Sequence, residues 1–173
     1  IIPASADKPL FILAPFLIFI GALTAFIAVP FGEKIIIVDM NIGIFYIIGV
    51  GSLAVIALIL AGWSSNNKWA LFGGMRSAAQ IISYEIPAGI SLVVVIMLAS
   101  SLNMQEIIAY QEGGLFNWII FDNPFMPIVF VIFFISALAE TNRTPFDLPE
   151  SESELVAGFV TDYSGTRYAI FFL

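Results

Sequence analysis

Long apolar runs separated by short polar ones set the pattern of this chain. A bilayer core of roughly 30 Å calls for about 20 apolar residues per helix, and four stretches approach that length. The first extends from about Leu10 to Val29 with Pro15 inside it, and the second from about Ile42 to Trp63. The second is rich in small residues (Gly43, Gly49, Gly51, Ser52, Ala54) that let neighbouring helices come close. The third runs from about Ser77 to Leu102. The fourth, about Pro127 to Glu140, is short for a span unless residues 122–126 begin it. Another hydrophobic helix starts somewhere past Val156. The pattern predicts an all-α, polytopic membrane helix bundle, with about four complete transmembrane helices and the start of a fifth, in one transmembrane domain over residues 1–173. No internal repeat or low-complexity tract stands out.

The polar connections give the orientation. Segments 1–9, 64–76 and 141–156 fall on one side and hold Lys8, Lys68, Arg76 and Arg143. Segments 30–41 and 103–124 fall on the other and hold Lys34 alone. The positive-inside rule therefore puts 141–156 on the cytoplasmic, matrix or stromal face. Trp63 and Trp69 read as interface anchors, and 103–124 as a surface loop with a short amphipathic helix. Glu33 and Asp39, on the outer side, read as solvated.

Composition agrees with the pattern and removes several chemistries. Hydrophobic residues make up 60% of the chain, charged residues 11%, and the mean hydropathy is +1.02. Soluble domains carry about 25% charged residues, so this chain is built for lipid. The absence of cysteine rules out disulfides, thiolate metal sites and cysteine-held iron–sulfur clusters in these residues. Having no histidine, the chain offers no histidine-ligated haem or metal site. A net charge of −7 argues against nucleic acid. The opening IIPASADK, without an initiator Met, and the closing YAIFFL suggest a piece of a longer chain.

Against this apolar background the acids stand out. Glu85 lies in RSAAQIISYEIPAGISLVVVIM, about eight residues past Ser77 or roughly 12 Å along a helix. Its helical neighbours Ala78, Ile81, Ile82, Ala88 and Gly89 are apolar or small, so nothing local pairs with it. A charge at such depth costs at least ~2.5 kcal/mol, which requires protein or water beside it. Pro87 cannot donate to the Ser83 carbonyl and loosens or kinks the helix next to the acid. Two roles are open for Glu85: pairing with a basic residue of a neighbour, or handling of protons or ions. Glu140 closes the fourth span, three residues before Arg143, and is either a helix-end residue with a salt-bridge partner or a functional acid.

After Glu140 comes TPFDLPESESEL, in which Pro145 and Pro149 break the helix and Asp147 and Glu150 form a capping-box pattern. Glu150 and Glu154 share one face of any helix that starts there, with Glu152 on another, and like charges four residues apart are mildly destabilising. Solubility alone is a poor reason for that stack. Arg76, one turn before Gln80 on the face 76, 80, 83, is placed to meet the acidic segment.

Three stretches carry a resemblance. AETNRTPFDLPESESELVAGFVTDYSG (139–165), GWSSNNKWALFGGMRSAAQIISYEIP (62–87) and IIPASADKPLFILAP (1–15) are very similar to the family of membrane subunits of respiratory complex I that adjoin the quinone site. The resemblance covers nearly the whole chain and implies that it holds the second span to the start of the sixth. It further implies a subunit of NADH:quinone oxidoreductase, a redox-driven proton pump, with no complete active site in this chain alone. The implied substrate is a quinone, ubiquinone or menaquinone, with no metal or iron–sulfur cluster in this chain. Implied partners are the peripheral-arm quinone-site and iron–sulfur subunits, neighbouring membrane subunits and the lipid bilayer, with no nucleic acid. The implied membrane is the bacterial inner membrane, or else the mitochondrial inner or thylakoid membrane. Glu85 matches the SYE motif and Glu140 the AETNR motif. Together with Glu150, Glu152 and Glu154 they match the carboxylates that lead from the quinone cavity towards the proton channels. Arg143, Asp147, Phe146 and Arg76 match positions at the quinone chamber or its wall. Asp162, Thr144 and Ser151 depart from the usual pattern without removing a carboxylate of interest.

Three rival readings make different demands. The equivalent subunit of a membrane-bound hydrogenase requires a nickel–iron partner. An independent ion transporter carrying its ion at Glu85 requires activity without partners. A passive anchor for the peripheral arm predicts that neutralising the glutamates costs assembly alone.

Overall fold

The computed structural model describes residues 2–32, 35–142, 144–146 and 158–171. Its elements in chain order are α1 (Lys8–Ala25), α2 (Gly43–Gly51), α3 (Leu53–Ser64), α4 (Lys68–Ala99), α5 (Met104–Tyr110), α6 (Ile119–Asp122), α7 (Met126–Glu140) and α8 (Thr166–Ile170). Short 3-10 turns stand at Leu115–Asn117 and Gly158–Val160. Among the described residues, three segments are long and apolar enough to cross a membrane: Lys8–Ala25, Gly43–Ser64 and Lys68–Ala99. α7 is apolar but shorter, at 15 residues. The architecture is a membrane helix bundle.

The second span is interrupted at Ser52, between α2 and α3. Its cause is local: Gly49 and Gly51 weaken the ladder, and the Ser52 hydroxyl donates back to the Gly49 carbonyl at 2.7 Å. The third span begins earlier than hydropathy suggests, at Lys68 rather than about Ser77. Asn67 is the reason, because its side chain caps the helix by accepting from the Trp69 N–H at 3.1 Å. At 32 residues α4 is about 48 Å long, well beyond a ~30 Å hydrocarbon core. Lys68 and Arg76 thus ride on a helix rather than a loop.

α3 packs between α1 and α4, and α4 packs against α7 on its other flank. Two apolar cores form at opposite ends of the bundle. One joins Phe11, Ala14, Val55, Leu58, Ala61, Ala78 and Ile81 to Phe159, Val160 and Tyr163. The other joins Ile44, Ile107, Ile119 and Met126 to the last turns of α4. Glycines permit the closest crossings. A Cβ on Gly74 would sit 2.7 Å from the Leu58 carbonyl oxygen, and one on Gly62 2.7 Å from that of Ala70.

Residues 158–163 return beneath α1, α3 and α4 to close the first core. Tyr163 stacks flat on Phe11 with centroids 4.0 Å apart, and its hydroxyl donates to the Phe11 carbonyl at 3.2 Å. That carbonyl is the one Pro15 cannot serve, since proline has no N–H for the residue four positions back. Tyr163 therefore repairs the break that Pro15 makes in α1. Burial pushes the Tyr163 hydroxyl up to about 12, so it stays a donor. Nearby, the Asn67 side-chain amide donates to Asp162 at 3.3 Å, tying the start of α4 to the same segment.

Candidate functional site

The residues that gather at the end of α7 are set by one side chain of α4. Gln80 Nε2 donates to the Ala139 carbonyl at 2.9 Å, to Asn142 Oδ1 at 3.0 Å and to the Phe146 carbonyl at 2.9 Å. The last turn of α7 is therefore level with Gln80. A span of about 20 residues counted back from Ala99 also begins near Gln80, which places this clasp at the edge of the hydrocarbon core. Glu85 lies five residues deeper on α4, about 7–8 Å inside.

Glu85 is half-buried midway along α4, and Glu140 is the exposed last residue of α7. Glu140 follows the turn that Gln80 holds, and Glu85 sits five residues past Gln80 on α4, so the clasp sets the spacing of the two acids. They belong to different helices, so what separates them is the packing of α4 on α7 and not a local sequence spacing. α4 remains helical through Pro87, and Ser91 Oγ donates to the Pro87 carbonyl at 2.8 Å one turn on. The expected loosening at Pro87 does not end the helix.

Phe146 is drawn to the same place. Its ring meets Tyr84 edge-on at 5.1 Å, next to Glu85 in sequence, while its carbonyl takes the Gln80 hydrogen bond. Before it in the chain, Asn142 stands at φ +49° and the Thr144–Pro145 bond is cis. Arg76 is exposed one turn before Gln80. Thus Glu85, Glu140, Phe146 and Arg76 fall around one clasp, whereas Arg143, Asp147, Glu150, Glu152 and Glu154 lie outside the described residues.

Gln80, Asn142 and Tyr84 are the members that sequence reasoning did not single out. A signal existed: Arg76, Gln80 and Tyr84 recur every four residues and form a polar stripe along an otherwise apolar helix. Among the described residues no group of three Asp or Glu could hold a metal ion. An apolar groove of about 590 Å³ between α4, α6 and α7 (Leu92, Ile119, Met126, Phe133) lies at the far end of α7 and has no ionisable lining residue. Glu85 and Glu140 lie towards the other end, where α7 stops.

The chain is similar along its length to bacterial proteins named as the H subunit of NADH-quinone oxidoreductase. It is 55% identical over 173 residues to that of Anaeromyxobacter dehalogenans, covering all of this chain and 42% of the relative. It is 53% identical over 175 residues to that of Chlorobaculum tepidum, covering 49% of it, and 52% identical over 172 residues to that of Bacillus thuringiensis, covering 50%. The chain thus spans about half the length of the curated relatives it matches. A family model described as NADH dehydrogenase matches residues 1–173, and the chain belongs to that family.

Proposed function

We propose that this chain is the quinone-side part of the membrane subunit of a proton-pumping NADH:quinone oxidoreductase, seated in a bacterial inner membrane. It helps to form the quinone chamber and couples reduction of ubiquinone or menaquinone to proton translocation. Electrons arrive from iron–sulfur clusters of partner subunits, which fits the absence of cysteine in these residues. No complete active site resides in these residues alone.

What supports this reading is the clasp near the end of an apolar bundle, where Gln80 of α4 holds the last turn of α7 that ends in Glu140, with Glu85 five residues further along α4. A charge that changes near a carboxylate alters how readily that carboxylate holds its own charge. Reduction of quinone to quinol takes up one proton for each electron. Drawing those protons perturbs the field at the acidic stretch of Glu150, Glu152 and Glu154, and Glu140 then Glu85 pass the perturbation into the membrane. Phe146, Arg143, Asp147 and Arg76 form the wall on the chamber side.

The test is quinone-linked proton pumping by the assembled complex bearing Glu85→Gln or Glu140→Gln. Each is expected to lower the protons moved per quinone reduced. Full stoichiometry and rate in both variants would leave these residues structural. Loss of assembly alone would favour the anchor, and a nickel–iron partner in place of bound quinone would favour the hydrogenase relative.

A further inference from the structure

We propose that Gln80 is a positioning residue: its side-chain amide holds the end of α7 and the following turn against α4, and so sets where Glu140 stands relative to Glu85. This rests on the reading of the two glutamates given above, and goes beyond it in assigning the control of their separation to an uncharged residue.

The geometry is specific. One nitrogen faces three acceptors at 2.9–3.0 Å: the Ala139 carbonyl in the last turn of α7, the Asn142 side chain, and the Phe146 carbonyl. Ala139 directly precedes Glu140, so the Gln80 contact fixes the backbone from which that acid projects. Gln80 and Glu85 are on one helix, so α4 acts as the ruler and the amide as the clip. The Tyr84–Phe146 ring contact adds an apolar strut one turn away.

A primary amide nitrogen carries only two hydrogens. With three acceptors in reach, one is always shared or underserved. Releasing the Phe146 carbonyl therefore leaves both hydrogens paired, with Ala139 and Asn142. The turn at 144–146 can let go of α4 at small cost while the end of α7 stays clipped. Losing the amide itself costs all three contacts and frees both the turn and the end of α7.

Two measurements on the assembled complex test this. Gln80→Met keeps the length and packing of the side chain but offers no donor. Hydrogen exchange over 139–146 is expected to rise about tenfold, as for loss of one to two net hydrogen bonds, with a fall in protons moved per quinone reduced. Asn142→Gly removes one acceptor, keeps the positive φ, and leaves two acceptors for two hydrogens. Its exchange is expected to stay within about threefold of the parent. Unchanged exchange in Gln80→Met, or an equal rise in Asn142→Gly, overturns the clip. Raised exchange with an unchanged proton ratio overturns the positioning role. Should Gln80→Met not accumulate, Gln80→Asn, which withdraws the same amide by one methylene, gives the same readouts. Failure of the underlying reading shows separately, as full pumping by Glu140→Gln with Gln80 intact.

Discussion

Two glycines on α4 offer a matched pair of substitutions. A Cβ built on Gly73 would meet the Gly158 Cα at 2.5 Å, its carbonyl carbon at 2.7 Å and the Phe159 nitrogen at 2.7 Å. All three are backbone atoms, and Gly158 is held at φ +58°. No rotamer change relieves such a contact, so either α4 or the returning segment must move. Gly89, on the same helix, has nothing within 4 Å of the equivalent position. Alanine in place of glycine inside a helix gains roughly 0.5–1 kcal/mol at either site, so that gain cancels in the comparison. What remains is the steric cost, about 1–3 kcal/mol for overpacking, with the upper end expected against backbone. Gly73→Ala should therefore melt roughly 3–10 °C below Gly89→Ala for a chain of this length. The assay is thermal unfolding of the purified chain in detergent at matched scan rates. Equal melting, or Gly73→Ala above Gly89→Ala, would refute the claim that residues 158–163 pack by backbone contact on α4.

Other expectations follow from single contacts. Tyr163→Phe leaves the buried Phe11 carbonyl without its donor and should cost about 1–3 kcal/mol in thermal unfolding. On a Pro15→Ala background, where the helix regains its own N–H, the same change should cost less, and equal costs would sink the repair role of Tyr163. The raised Tyr163 value has a definite sign: the folded state favours the neutral phenol, so its contribution is intact below pH 10 and lost as pH rises from 10 to about 12. Tyr163→Phe should therefore show a shallower loss of stability over that window. Asn103 caps α5 by accepting from Gln105 and Glu106, and its amide donates to Asp39 at 2.7 Å. Asn103→Ala should cost about 1–2 kcal/mol and raise hydrogen exchange in α5, and an unaltered α5 would contradict the cap. Finally, Glu85→Gln and Glu140→Gln should be non-additive in proton pumping, because the two acids flank the one clasp between α4 and α7. Strict additivity would mean that the two acids act apart.

Hydropathy is a property of each stretch by itself, which is why the spans and the fold class were readable from residue order. The acid at Glu85 was readable for the same reason, as a charge with no local partner. Failures came where a neighbour decides. The start of α4 at Lys68 depends on the Asn67 cap, a local signal outweighed by the charges at Lys68 and Arg76. The gathering of Gln80 with Ala139, Asn142 and Phe146 depends on which face of α4 meets α7, and a polar stripe hints at that face without naming what it meets. The return of residues 158–163 depends on contact between Gly73 and Gly158, 85 residues apart in sequence, which no local pattern encodes.

The two prolines inside spans show how a local rule and a tertiary outcome part company. Each removes one N–H and leaves a carbonyl four residues earlier without its helical donor. For Pro15 that carbonyl is on Phe11, fully buried, and the fold brings Tyr163 across to meet it. For Pro87 it is on Ser83, an exposed residue two places before Glu85. The same loss of a donor is thus a closed repair in the first helix, whereas in the third span the carbonyl belongs to an exposed residue. A buried orphan must be answered by the chain itself, because an unmet carbonyl there costs about 1–3 kcal/mol. An outward one is free to take water or a donor from another chain.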